Sequence, residues 1–131
     1  MTPIALITGA SGGIGRALAR HLHTQGWRVA AVGRDASRLA DTDAAVRIAA
    51  DTTTPDGAAL ALAACQEALG AVPTGLAHCV GSTLIAPLHR TRADAYREVM
   101  RVNLDSAVFM LQAWINALQG APGAAVFASS V

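Results

Sequence analysis

The stretch Thr8-Gly9-Ala10-Ser11-Gly12-Gly13-Ile14-Gly15 constrains this chain more than any other, because four glycines break an otherwise regular apolar pattern. Before it, Ile4-Ala5-Leu6-Ile7 is a continuous apolar run of the kind that forms a strand covered on both faces. After it, apolar residues recur at helical spacing from Ile14 through Ala17, Leu18 and Leu22, with arginines between, and the pattern stops at Gly26. Strand, glycine turn and helix in that order leave the backbone open to close approach. The first amides of the helix then face whatever sits over the turn, and an anion such as a pyrophosphate suits that position.

The alternation continues along the chain. Arg28-Val29-Ala30-Ala31-Val32 predicts a second strand, Ala36 to Leu39 a short helix, and Val46-Arg47-Ile48-Ala49 a third strand. Thr54-Pro55 has the form of an N-cap and first helical position, opening an alanine-rich helix that ends at Gly70. Residues 75–80 predict a fourth strand. From Thr91 a long helical pattern begins, with Thr91 and Asp94 spaced like a variant capping box, and it runs with a bend near Asn103 to Leu118 and Gly120. Within it, Leu104, Ala107, Val108, Leu111, Ile115 and Leu118 form one stripe, with Phe109, Met110 and Trp114 outside it, which predicts a helix buried on two sides. Residues 124–128 predict a fifth strand. Strands alternating with helices mean parallel βαβ units, so the fold class is α/β: a doubly wound parallel sheet in one domain spanning residues 1–131.

Composition fits that architecture and excludes others. The chain is 53% hydrophobic, 15% charged and only 4% aromatic, so a packed core must be made from small side chains. Its formal charge of +1 offers no general attraction to nucleic acid or to an anionic membrane. Met1-Thr2-Pro3 leads straight into the first strand without the pattern of a secretory leader, and no apolar run reaches membrane-spanning length. A cytoplasmic protein with Cys65 and Cys79 reduced is the expectation. All ten basic residues are arginine, which removes any chemistry that needs a titratable amine.

In a dinucleotide fold the end of the second strand faces the adenosine ribose, and an acidic residue there favours NAD. Here the segment is Gly33-Arg34-Asp35: Arg34 offers a planar cation for a 2′-phosphate, while Asp35 suits the cap of the helix that follows. NADP(H) is therefore expected over NAD(H). Arg16, one turn into the first helix, is either a second cation for that phosphate or a solvated helix charge.

With these residues in view the chain resembles the short-chain dehydrogenase/reductase family, from Thr8 to the last residue. Thr8-Gly9-x-x-x-Gly13-x-Gly15 is similar to the family's cofactor motif, and the resemblance implies a Rossmann fold with strand order 3-2-1-4-5. By the same resemblance Gly9, Ser11, Gly13, Ile14 and Gly15 take the pyrophosphate, and Asp51-Thr52 meets the adenine ring. The family's Asn-Asn-Ala-Gly is His78-Cys79-Val80-Gly81 here, with only the glycine, Gly81, kept. Asn103 in Val102-Asn103-Leu104 resembles the proton-relay asparagine, and Ser130 in Ser129-Ser130 the serine that hydrogen-bonds the substrate carbonyl.

The resemblance also implies a Tyr-x-x-x-Lys pair on a following helix, and this chain supplies none: Tyr96 is the single tyrosine, and lysine is absent. The expectation is thus a truncated domain: the cofactor-binding half of an NADPH-dependent reductase acting on a small carbonyl or alcohol. Alone it is expected to be inactive, and to self-associate through the helix over residues 104–118. Two alternatives stay open. One is a non-catalytic NAD(P)-binding or scaffold module. The other is a member of the family's longer epimerase and dehydratase branch, whose glycine spacing Gly9, Gly12 and Gly15 also satisfy.

Overall fold

The computed structural model describes residues 2–130. Five strands, β1 (Ile4–Thr8), β2 (Arg28–Gly33), β3 (Val46–Ala49), β4 (Gly75–His78) and β5 (Ala124–Phe127), form one parallel sheet in the order β3-β2-β1-β4-β5. Every strand pair is parallel, with Leu6 opposite both Ala30 and Leu76 at the centre. Side chains alternate across each strand, so the sheet has two apolar faces and needs cover on both. Ile4 and Leu6 of β1 join Ala30, Val32 and Leu76 in one core, which the helices α2 (Pro55–Leu69) and α4 (Ser106–Leu118) close. Ile7, Val29, Ala31 and Ala77 form the other, closed by α1 (Gly13–Thr24). Full burial of a side chain such as Leu6 contributes about 2 kcal/mol.

The helix ends follow local chemistry. Thr54 Oγ1 accepts the Gly57 amide at 3.0 Å with Pro55 in the first turn, and Gly70, at φ +79°, closes α2 through its amide to the Gln66 carbonyl. Asp35 opens a short 3₁₀ turn, Ala36–Leu39, by accepting both the amide and the hydroxyl of Ser37.

The long helical pattern after Thr91 departs from expectation in two ways. The capping box does not form: Arg92 is the N-cap of α3 (Ala93–Met100), Thr91 donates instead to the Pro87 carbonyl, and Asp94 accepts from Ala95 and Arg92. The bend near Asn103 takes the form of a π-helical turn, Arg101–Asp105, between α3 and α4. The inserted residue rotates α4, so Ser106, Met110 and Trp114 face the sheet while Leu104, Val108 and Ile115 are exposed. Met110 and Trp114, which the sequence pattern left outside its stripe, are thus sheet-facing, and Leu111 and Leu118 of that stripe pack against the same core. Trp114 settles the choice, because its indole N–H donates to the Pro73 carbonyl at 2.8 Å while its ring fills the core. Among the described residues no helix is long and apolar enough to cross a membrane.

Candidate functional site

A cleft opens at the C-terminal ends of the strands, beside the point where the strand order reverses between β1 and β4. Its floor is Gly9 and Ser11 after β1, its sides are Gly33 and Arg34 after β2 and Asp51 to Thr53 after β3, and Cys79 to Gly81 complete it after β4. Gly9 has no substitute at this spot. Its φ is +64°, and a Cβ there would sit 2.5 Å from the Cys79 carbonyl oxygen. A Cβ on Gly15 would in turn meet the Gly9 carbonyl oxygen at 2.4 Å, so this glycine lets α1 rest directly on the turn.

Gly12, the N-cap of α1, has no side chain to cap the helix, and no acidic residue stands in its first turn. The helix therefore presents amide donors and positive dipole to the cleft uncompensated. Arg16 adds to this. Its guanidinium folds back to donate to the Ser11 carbonyl at 3.3 Å, and its Nε is buried without a partner among the described residues. The solvated-charge alternative for Arg16 does not hold, since the group lies against the glycine turn.

Asp51 is held in place. Its Oδ1 accepts the Thr53 amide at 3.0 Å and the Thr53 hydroxyl at 2.5 Å, and the hydroxyl bond, with help from the Arg101 cation, keeps its carboxyl below the usual range. Gly57 makes this loop possible, because a Cβ there would overlap the Asp51 carbonyl oxygen at 1.8 Å. Arg101, on the π-turn, spans Glu98 at 2.8 Å, the Thr53 hydroxyl, and Asp51 at 3.9 Å. Two residues on, Asn103 grips the opposite loop: its Oδ1 accepts the Ser82 amide and its Nδ2 donates to the Ser82 carbonyl, both at 3.0 Å, and to the Val99 carbonyl at 2.8 Å. Between them Val102 lines the cleft. The π-turn thus ties the loop after β3 to the loop after β4.

Below the cleft, His78 is buried at the end of β4. Its Nδ1 lies 2.7 Å from the Thr8 hydroxyl, its Nε2 lies 3.0 Å from the Ser106 hydroxyl, and the Phe127 ring is tilted against it at 5.6 Å. Burial pushes its pKa down to about 4, so the ring is neutral at ordinary pH. Cys65 and Cys79 are free thiols, and burial raises both, Cys65 to about 11.

Of the residues singled out from sequence, Gly9, Ser11, Arg34, Asp51, Thr52 and Gly81 line one cleft. Gly13, Ile14 and Gly15 stand at the start of α1 beside it, with Ile14 67% exposed. Asn103 is on the adjoining π-turn, and Ser130 is exposed past the end of β5; Val131 lies outside the described residues. Sequence inspection missed Arg101, Gly57 and Ser106. The first two lie 50 and 6 residues from Asp51, and only the folded chain brings them to it.

This arrangement, a parallel sheet with a glycine turn feeding a helix at its switch point, defines a dinucleotide-type fold. The family model for the short chain dehydrogenases matches residues 3–131, and the chain belongs to this family of oxidoreductases, which use NAD(P). It is 35% identical to the L-xylulose reductase of Bos taurus, over 96% of this chain and 52% of that protein. It is 34% identical to the L-rhamnose 1-dehydrogenase (NAD(P)(+)) of Azotobacter vinelandii, over 96% of this chain and 54% of that protein. Among solved structures, a 3-ketoacyl-ACP reductase from Sinorhizobium meliloti superposes with TM-score 0.90 at 28% identity, over 98% of this chain and 54% of that one. The chain spans about half the length of the curated relatives it matches.

Proposed function

We propose that this chain is the NADP(H)-binding portion, as a single domain, of a cytoplasmic reductase that acts on a small carbonyl or alcohol. The observation that carries the cofactor choice is at the end of β2. There the Asp35 carboxylate is engaged by Ser37 as a helix cap, while Arg34 stands on the cleft wall. Asp35 does not line the cleft, and a guanidinium on its wall suits a 2′-phosphate.

The residues present fit the cofactor. The uncapped amides of α1, the orphaned Arg16 Nε and the empty space over Gly13, where a Cβ would meet nothing within 4 Å, suit a pyrophosphate held by Gly9, Ser11, Gly13, Ile14 and Gly15. Asp51 lines the cleft beside Thr52 with Oδ1 held by Thr53 and Oδ2 3.9 Å from Arg101, a fixed carboxylate suited to an adenine amine. The backbone of Gly81 closes the far wall. When bound, the nicotinamide supplies the hydride chemistry. Ser130 is the residue that would donate its hydroxyl to a substrate carbonyl. Asn103 serves the relay by holding its turn, since its own amide is spent on Ser82 and Val99.

Calorimetric titration with NADPH and NADH tests this. Arg34→Asp is expected to lower the NADPH-to-NADH affinity ratio by about tenfold or more, and an unchanged ratio would overturn the assignment. The exposed ridge of Leu104 on the π-turn with Val108 and Ile115 on α4 supports self-association, to be checked by sedimentation: Val108→Glu is expected to shift the chain to monomer.

A further inference from the structure

The protons around His78 can be assigned from geometry alone. The Ser106 hydroxyl donates its one proton to the Val102 carbonyl at 2.5 Å, so towards His78 it must accept. Nε2 therefore carries the ring proton. In the neutral ring Nδ1 then bears the lone pair and accepts from the Thr8 hydroxyl. Burial supports the neutral form, because the cation would have to be desolvated. One directed chain runs from Thr8 at the end of β1, through His78 on β4 and Ser106, to the carbonyl of Val102 in the π-turn. Thr8, His78 and Ser106 are all buried.

A π-turn leaves its backbone groups off the regular helical ladder, so side chains must hold its shape. Arg101 and Asn103 hold it from the cleft side through exposed or half-exposed groups. Ser106 with His78 holds it from the core. The next residue, Asn103, clamps Ser82, and Val102 itself forms cleft wall.

We infer that His78 is a positioning residue: its Nε2-protonated ring fixes the π-turn to the sheet, and through it the Asn103 clamp on Ser82 and the Val102 wall. This rests on the reading of the cleft as a nucleotide site only for its consequence in binding, not for the relay. His78 is an unexpected residue to find in this place. The Asn-Asn-Ala-Gly pattern has asparagine there, whose short side chain spans less than the distance from Thr8 to Ser106 that the imidazole bridges.

The test uses the full chain, isotope-labelled, at neutral pH and without nucleotide. Long-range proton–nitrogen spectra are expected to show His78 neutral with the proton on Nε2; a proton on Nδ1, or a cation, would overturn the inference. Two variants separate the relay from ring packing, since both remove the ring. His78→Gln places an N–H where Nε2 stood and keeps the bond to Ser106, whereas His78→Asn keeps only the Nδ1 position. Exchange of the Ser82 amide is expected to stay near the wild-type rate in the glutamine variant and to rise about tenfold in the asparagine variant. Equal rates in the two would sink the inference. Should either variant fail to fold, Ser106→Ala keeps the ring and is expected to show the same tenfold rise; retained protection there would overturn it as well. NADPH titration of the same samples is read separately. If the wild type binds no nucleotide while the amide rates split as expected, the cofactor assignment fails and the His78 role stands.

Discussion

β1 and β5 are both short apolar runs in one parallel sheet, yet β1 is buried at every residue and β5 at none. Ile4-Ala5-Leu6-Ile7 and Ala124-Ala125-Val126-Phe127 are both wholly apolar. They differ in neighbours. β1 pairs with β2 and β4 and has α1 on one face and α2 with α4 on the other, whereas among the described residues β5 pairs with β4 alone. Burial is thus a property of the place in the sheet order. Around β1 the core is covered on both faces, and among the described residues the β5 side presents backbone edge and apolar surface.

Substitutions break or sharpen this contrast. The largest expected effect is around β1: Gly9→Ala should cost about 4 kcal/mol in urea denaturation. It forces an L side chain to φ +64° and drives a Cβ into the Cys79 carbonyl. A loss below about 1 kcal/mol would show that the turn yields. Leu6→Ala should cost about 3 kcal/mol, the toll of a cavity between two closed layers.

Next in size is a pH effect. His78 has a folded-state pKa of about 4 against an ordinary 6.5, so the unfolded chain binds the extra proton first as pH falls. Its contribution is complete above 6.5 and is lost on the way down to 4. Near about pH 5 the loss should be about 2 kcal/mol, and His78→Gln should remove that part of the acid slope. A slope that survives in the variant would assign it to the carboxylates. The smallest effect belongs to the open end: Val126→Ala, at a residue 67% exposed, should change stability by no more than about 0.5 kcal/mol. A loss comparable to that of Leu6→Ala would mean that β5 is covered in solution.

Much of the fold was legible because the signals are local. A cap such as Thr54-Pro55, the stop at Gly70 and the glycine turn after β1 act within a few residues, and β1, α1 and α2 stand where these signals put them. The sheet order came from resemblance instead, since pairing partners are remote in sequence. Of the cleft residues, Gly9 and Arg34 were legible from their places after strands and Asp51 from the resemblance. Arg101 was not, because reaching Asp51 depends on how α3 turns into α4. Which face of α4 meets the sheet was not legible either, because the segment is apolar on more than one side. A stripe counted from Leu104 gives the spacing of its members but not their direction, which the π-turn Arg101–Asp105 sets.

The amino-acid sequence by itself determined the alternation of strands and helices, the glycine turn, and the arginine and capping acid at the end of β2. Those depend on backbone conformation and on neighbours a few bonds away. Only the tertiary structure decided which side of α4 is core, which loops the π-turn ties together, and which nitrogen of His78 carries its proton. Each of these depends on groups as much as 70 residues apart meeting at hydrogen-bond distance, and pattern along a chain does not encode such a meeting.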